Sequence, residues 1–334
     1  MPDDMSLQNM DDNVFLSVII PFHNSGRYLK QCLESLLKAD GSSSFEMILI
    51  DDGSSDDSGE IAGKYSLKYP NIKVITMSRA GQSEARNAGI RASSGRYVFF
   101  CDSDDEVAPG SFSKALKRAE DTDADIILWD AEPFNDDGTP LPQKRRDYFI
   151  HRGLRPDDGI ISGKQSVEKQ LDDHMDFPAT VWLGLHKRQF ILENDLFFEK
   201  DLMHEDELWV IKTLLTAKSV SYINEKIYRY RNRKGSVMNP ETDDRSSYIE
   251  SLLKIYPALY AFCEDTFGNA PFTAKIEACL TRRYLFKISD YDFVRCGYGS
   301  RIDRKKLWKT AGRFIDKLRV IRLNLLLFVQ VNDE

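Results

Sequence analysis

The chain has 334 residues, 42% of them hydrophobic, and a formal net charge of −7. That is enough apolar material for one large domain, or a domain with an appendage, and the acidic balance argues against a nucleic-acid binder. Cys32, Cys101, Cys263, Cys279 and Cys296 are odd in number and widely spaced, which suits reduced thiols rather than a disulfide framework or zinc site.

Residues 1–13 are polar and acidic and read as a flexible N-terminus with no signal peptide. Beyond them strands and helices alternate. Phe15–Ile20 is a predicted strand, and Tyr28–Leu37 a helix with Leu29, Cys32, Leu33, Leu36 and Leu37 at helical spacing. Strand Glu46–Ile50, helix Asp57–Tyr69, strand Ile72–Met77, helix Gln82–Ala92 and strand Tyr97–Cys101 follow. Helix Pro109–Glu120 and strand Asp125–Trp129 complete the series. This alternation predicts an α/β fold with a doubly wound, mostly parallel sheet, which binds ligands outside the carboxyl ends of its strands. Residues 135–146 read as a hairpin or loop excursion. Between Ile161 and Tyr230 the pattern is mixed, with helices near Ser166–His174 and Asp206–Thr216 and a strand near Ser219–Ile223. From Ser246 onward the chain reads as helical. Its longest late apolar run, Leu323–Val329, is too short to span a bilayer, and the expected location is cytoplasmic.

Three strand ends carry polar clusters: Pro21-Phe-His-Asn24, Asp51-Asp-Gly-Ser-Ser-Asp56 and Asp102-Ser-Asp-Asp105. Gly53 permits a tight turn and Asp52 can accept hydrogen bonds from a base N–H or ribose hydroxyls. Asp102 and Asp104, one residue apart, suit a hard divalent cation that also holds a diphosphate. Between the last two strands of this set, Gly81 and Ser83 can open a helix whose first N–H groups face an anion, with Arg86 and Asn87 in reach of a nucleotide. Each cluster has a plainer reading, as a helix-capping turn, a solvated acidic turn or a capped surface helix. Their recurrence on strand ends that share one edge favours a ligand site.

These residues resemble the family 2 glycosyltransferases, which have the GT-A fold. The resemblance rests on Pro21-x-x-Asn24, Tyr28-Leu29 with Cys32-Leu33, Asp51-Asp-Gly-Ser-x-Asp56, Gly81-x-Ser83-x-Ala-Arg-Asn87, Gly95-x-Tyr97 and Asp102-Ser-Asp-Asp105, in order over roughly residues 15–130. It implies a GT-A domain over 14–240, with a nucleotide-sugar half (14–130) and an acceptor-side half (131–240), and a helical C-terminal region over 241–334. Pro21 and Asn24 would flank the nucleotide and Asp52 would hold its base, with His23, Gly53, Ser54 and Ser103 also at the nucleotide-sugar site; Asp102 and Asp104 would carry Mg²⁺ or Mn²⁺ and contact the donor. His23 stands where Tyr is common in the family, and Arg79 where Asn is common.

Further along, His204-Glu-Asp-Glu-Leu-Trp209 resembles the family's E-D-x-x-[FW] motif, which makes Asp206 the implied catalytic base with Glu205 beside it; helix capping by acids is the plainer reading. Trp182–Arg188 resembles a segment on the acceptor side, with a core Trp as its alternative. Tyr228–Val237 resembles a loop over the donor diphosphate, where Arg231, Arg233 and Ser236 would meet phosphate. The implied reaction is inverting transfer from a nucleotide-diphospho-sugar, by family frequency a UDP-sugar, to a glycan or lipid-linked glycan in envelope polysaccharide synthesis. A nucleotidyltransferase and a non-catalytic glycan-binding relative are the alternatives; no G-x-G-x-x-G follows the first strand, which disfavours a dinucleotide enzyme. Nine Lys or Arg residues between Arg301 and Arg322 interleave with apolar positions, a pattern for peripheral contact with an anionic membrane or for packing on the domain.

Overall fold

The protein is described by a computed structural model over residues 14–39, 45–233 and 245–333; the stretch 1–13 lies outside the described residues. At its centre are strands covered on both faces, which is why they read as unbroken apolar runs. β1 (Leu16–Phe22) is buried along its whole length. After α1 (Gly26–Ala39), which turns Leu29, Cys32, Leu33 and Leu36 inward, β2 (Phe45–Asp52) runs parallel to β1. α2 (Ser58–Lys68) leads to β3 (Ile72–Met77), parallel to β2. α3 (Gln82–Ala92) leads to β4 (Tyr97–Phe100), parallel to β1 on its other side.

The chain continues through β5 (Glu106–Val107), α4 (Phe112–Thr122) and β6 (Ile126–Ala131). β7 (Phe134–Asn135), the short α5 (Gln143–Arg146), α6 (Gly163–His174), β8 (Gly184–Lys187) and α7 (Arg188–Glu193) follow. Then come α8 (Glu205–Thr216), β9 (Val220–Arg229) and β10 (Arg231–Asn232). The main sheet has the order β3-β2-β1-β4-β8-β6-β9-β5, and β10 pairs with β7 apart from it. The expected excursion at 135–146 is present, Phe134 bridging back to Pro140.

Two features depart from the sequence reading. β8 was not expected as a strand, yet it lies between β4 and β6, antiparallel to both. Gly184-Leu-His-Lys has no β-branched residue to announce a strand; its place depends on Gly184, where a Cβ would stand 2.7 Å from the Ile127 carbonyl oxygen. β9 also runs on to Arg229, well beyond Ile223, and brings Tyr228 beneath the acidic cluster.

The C-terminal region comprises α9 (Ser246–Phe267), α10 (Pro271–Asp290), α11 (Arg304–Thr310) and α12 (Phe314–Asp333). Leu252, Ile255, Tyr256 and Leu259 belong to the same buried cluster as Leu208 and Ile211 of α8. No helix among the described residues is long and apolar enough to cross a membrane.

At the sheet end opposite the three polar clusters, Glu46 is a buried anchor. Ser17 Oγ donates to it at 2.7 Å, Ser94 N and Oγ at 2.8 and 2.7 Å, and Lys73 Nζ at 2.8 Å. Gly95 completes the knot, its N–H donating to Ser17 Oγ. Burial opposes the Glu46 charge, but the bonds from Lys73, Ser17 and Ser94 outweigh it and hold the carboxyl below its ordinary pKa. Glu46→Gln should therefore destabilise the protein by about 1–3 kcal/mol at pH 7. Because the folded pKa is depressed, this contribution is full above the unfolded value and lost as pH falls through the folded one. Thermal melts should show the gap between variant and wild type closing below about pH 4; equal melting temperatures at pH 7 would refute the assignment.

Candidate active site

β1 lies between its parallel neighbours β2 and β4, so the three polar clusters emerge on one edge. Hydrogen bonds tie them together. Asn24, at φ 49°, accepts from Ser55 N at 2.8 Å and Asp56 N at 3.3 Å and donates its own N–H to Ser54 Oγ. Gly26 N donates to Asp56, and Ser25 Oγ lies 2.8 Å from Ser103 Oγ. His23 Nδ1 donates to the Asp52 carbonyl at 2.9 Å, so in the neutral ring Nε2 is the acceptor. Pro21 is buried within β1. Gly53 turns at φ 69° against the backbone of Arg79. The buried Asp52 carboxylate accepts from Ala80 N at 2.6 Å and Gly81 N at 3.0 Å, holding the turn that opens α3. A carboxylate has further lone pairs, so this does not exhaust it.

Gly81 sits at φ 88° just before α3, and the buried Ser83 hydroxyl has no partner among the described residues. Arg86, only 2% exposed, donates to Asp102 Oδ1 at 2.9 Å and forms an ion pair with Glu205. Its guanidinium lies 5.3 Å over the Phe198 ring, which stacks on Trp209. Asn87 does not fit the expected nucleotide contact: it accepts from Phe198 N at 2.8 Å and donates to Phe198 O at 2.9 Å. Its role is to fix that segment beneath Arg86.

In the acidic cluster, Asp102 also receives Gln82 Nε2 at 3.3 Å. Asp105 was not singled out by the sequence reading, yet it anchors the loop. Buried, it accepts from Tyr228 OH at 2.7 Å and Arg231 N at 2.6 Å, while Tyr228 OH accepts from Asp102 N. Burial, with Asp104 and Asp102 adding to it, pushes its carboxyl well above the ordinary range. Tyr228 stacks on Trp182 with ring centroids 4.3 Å apart, so Trp182 is a core support of this loop. Arg231 is likewise a buttress, contrary to its expected phosphate role. It is buried and donates to Asp104 O, Gln31 and Glu106, which occupies its fork. Arg233 Nε meets Asp104 Oδ2 at 2.6 Å. Burial raises the Asp104 pKa, Arg233 opposes that and Asp102 adds to it. Ser236 lies outside the described residues, as do Lys234 and Gly235.

α8 opens with three acids that have three different surroundings. Glu205, expected beside the base, is committed to Arg86. Glu207 meets Arg283 at 3.2 Å and Tyr256 OH at 2.9 Å; burial opposes its charge, but Arg283, Lys287 and Tyr256 hold it below its usual pKa. Asp206 has no ion pair among the described residues and stays partly exposed. Its carboxyl is pushed up to about 7 by burial first and then by Glu205, with Arg86 opposing and Glu207 and Asp102 adding. A carboxylate titrating near neutrality can take a proton from a hydroxyl. The C-terminal helices fix this corner: His204, at φ 62°, meets Tyr291 OH at 2.7 Å, and Met203 N donates to Ser251 Oγ at 2.9 Å.

Comparison with known proteins bears on the family and the fold. The family model "Glycosyl transferase family 2" matches residues 17–175. The chain is 31% identical over 243 residues to the uncharacterized glycosyltransferase YibD of Escherichia coli, covering 72% of this chain and 68% of that protein. It superposes on the structure of Staphylococcus aureus TarS in complex with UDP-GlcNAc with a TM-score of 0.72 at 20% identity, over 94% of this chain and 88% of that one. TarS is named a poly(ribitol-phosphate) β-N-acetylglucosaminyltransferase. A mannosyltransferase from Pyrobaculum calidifontis, in complex with GDP-Man and Mn²⁺, aligns over 94% of this chain and 86% of that one with a TM-score of 0.50 at 13% identity. Fold, motif order and relatives thus agree that this chain, a GT-A-fold glycosyltransferase, belongs to the family 2 glycosyltransferases.

Proposed function

We propose that the protein transfers a sugar from a UDP-sugar to a hydroxyl of an envelope glycan or lipid-linked glycan, with inversion and with a divalent cation at Asp102 and Asp104. The observation that carries this reading is the Arg86 bridge, which holds Asp102 of the D-x-D and Glu205, next to Asp206, on one guanidinium. It supports Asp206, whose carboxyl is raised to about 7, as the base facing the donor.

The donor lies, in this reading, along the ends of β1, β2 and β4, with its base between Asn24, His23 and Asp52 and its diphosphate toward Asp102 and Asp104. UDP-GlcNAc on TarS supports a UDP-sugar, and the name of TarS supports a polymeric acceptor. Among the described residues no three acidic, His or Cys side chains converge as a metal cage. Two carboxylates without soft ligands fit Mg²⁺ or Mn²⁺, which keeps water and takes phosphate oxygens as its other ligands. Such an ion, when bound, neutralises charge on the leaving diphosphate. Arg233, already at Asp104, supplies positive charge at the same place. Asp206 removes the acceptor proton as its oxygen attacks the anomeric carbon, and Glu205 and Arg86 keep that corner in place.

Asp206→Asn keeps the size of the side chain but cannot take the proton. Transfer should fall about 10²- to 10⁴-fold while UDP-sugar still raises the melting temperature; Glu205→Gln being the more damaging to kcat with binding intact would move the base by one residue. Because the base works ionised and its carboxyl is raised to about 7, kcat/KM should climb with pH between about 6 and 8 and level off above. A flat profile across that window would count against Asp206.

Asp104→Asn keeps an acceptor for Arg233 but removes the carboxylate charge. Titrating UDP into the protein with and without Mn²⁺, by thermal shift, should show metal-dependent stabilisation in the wild type and little in the variant. Metal-independent stabilisation of equal size in both would remove the cation from the reading.

A further inference from the structure

α12 is apolar on two opposite faces. Inward, Val320, Leu323 and Leu327 are buried, with Asp316 at the same face; Leu327 enters the space left by Gly299, where a Cβ would lie 2.1 Å from its Cδ2. Outward, Phe314, Leu318, Ile321, Leu325 and Phe328 recur every three or four residues, so they form one stripe along the helix. Phe314 is 77% exposed, Leu325 61% and Phe328 69%. Trp308 of α11 and Phe286 of α10 are exposed as well. An apolar outward stripe on a helix already docked by its other face marks an interaction surface.

Charge selects the occupant. Lys305, Lys309, Lys317 and Arg322 are exposed and have no salt bridge to an acid among the described residues, in a chain whose net charge is −7. The stripe has the 4-3 spacing of a coiled-coil seam, so a second copy is the obvious rival. The flanking positions of such a seam hold Lys317 and Arg322, and two copies would set cation against cation where a self-pairing seam needs opposite charges. An acidic surface reverses the sign of that interaction. α12 is not long and apolar enough to cross a bilayer, but an outward apolar stripe edged by cations is the arrangement of a helix lying in the headgroup layer.

We propose that α11 and α12 form a membrane-docking surface that places the protein on an anionic lipid leaflet, the apolar stripe reaching the acyl boundary and the flanking Lys and Arg meeting lipid phosphates. This does not rest on the catalytic reading, since vesicle binding is measured on the resting protein.

The test is flotation of the full chain with vesicles of phosphatidylcholine alone and of phosphatidylcholine with phosphatidylglycerol. The expected result is recovery with the anionic vesicles only, falling about tenfold or more in 0.5 M salt. Two variants separate the components: Leu318→Glu/Leu325→Glu against the stripe, and Lys317→Glu/Arg322→Glu against its flanks. Each alters exposed positions, so melting temperature should hold while recovery drops at least about tenfold. Equal recovery with neutral vesicles, no recovery with either, or a dimer in solution that the Leu318→Glu/Leu325→Glu variant abolishes would overturn the proposal.

Discussion

A guanidinium shut away from water must be neutralised where it sits, because an unpaired buried charge costs several kcal/mol. Arg86 is such a group, and its two carboxylate partners come from segments more than a hundred residues apart. Asp102 stands at the end of β4 and Glu205 at the start of α8, so the ion pair sets the distance between the sheet edge and the helix bearing Asp206. Everything around it serves the same placement. Phe198 and Trp209 form the floor on which the guanidinium rests, and Asn87 clamps the Phe198 backbone. Arg283 and Tyr256 hold Glu207 from the far side. The C-terminal helices therefore belong to the architecture of the active corner.

The polar edge of the sheet was legible in the sequence because each strand of β1, β2 and β4 is an apolar run that stops at a polar cluster. The contrast between those runs and Asn24, Asp52 or Asp102 is a local signal, read within a few residues. Most of the helices were legible for the same reason, as with the inward set of α1.

Elements defined by distant partners were not legible. β8 is a strand because β4 and β6 flank it, not through its own propensity. Arg231 and Arg233 are two residues apart in one basic run, but only the fold shows that the first is enclosed by Gln31, Glu106 and the Asp104 carbonyl. Asp105 looked like one more acid of the cluster; its partners, Tyr228 and Arg231, lie more than a hundred residues on. The three consecutive acids of α8 are alike in sequence and differ only in what the fold brings to each.

Asp206 also bears on how long the protein lasts. Its carboxyl is favoured protonated in the folded state and ionised in the unfolded chain at the same pH, so it withdraws stability as pH rises from the unfolded value of about 4 toward its folded value near 7. Across that window the unfolded chain sheds a proton that the folded carboxyl keeps, so the charge required of the proposed base is one the fold disfavours. With Asp206 as the proposed base, tolerance to heat and capacity for turnover thus pull in opposite directions at this one residue.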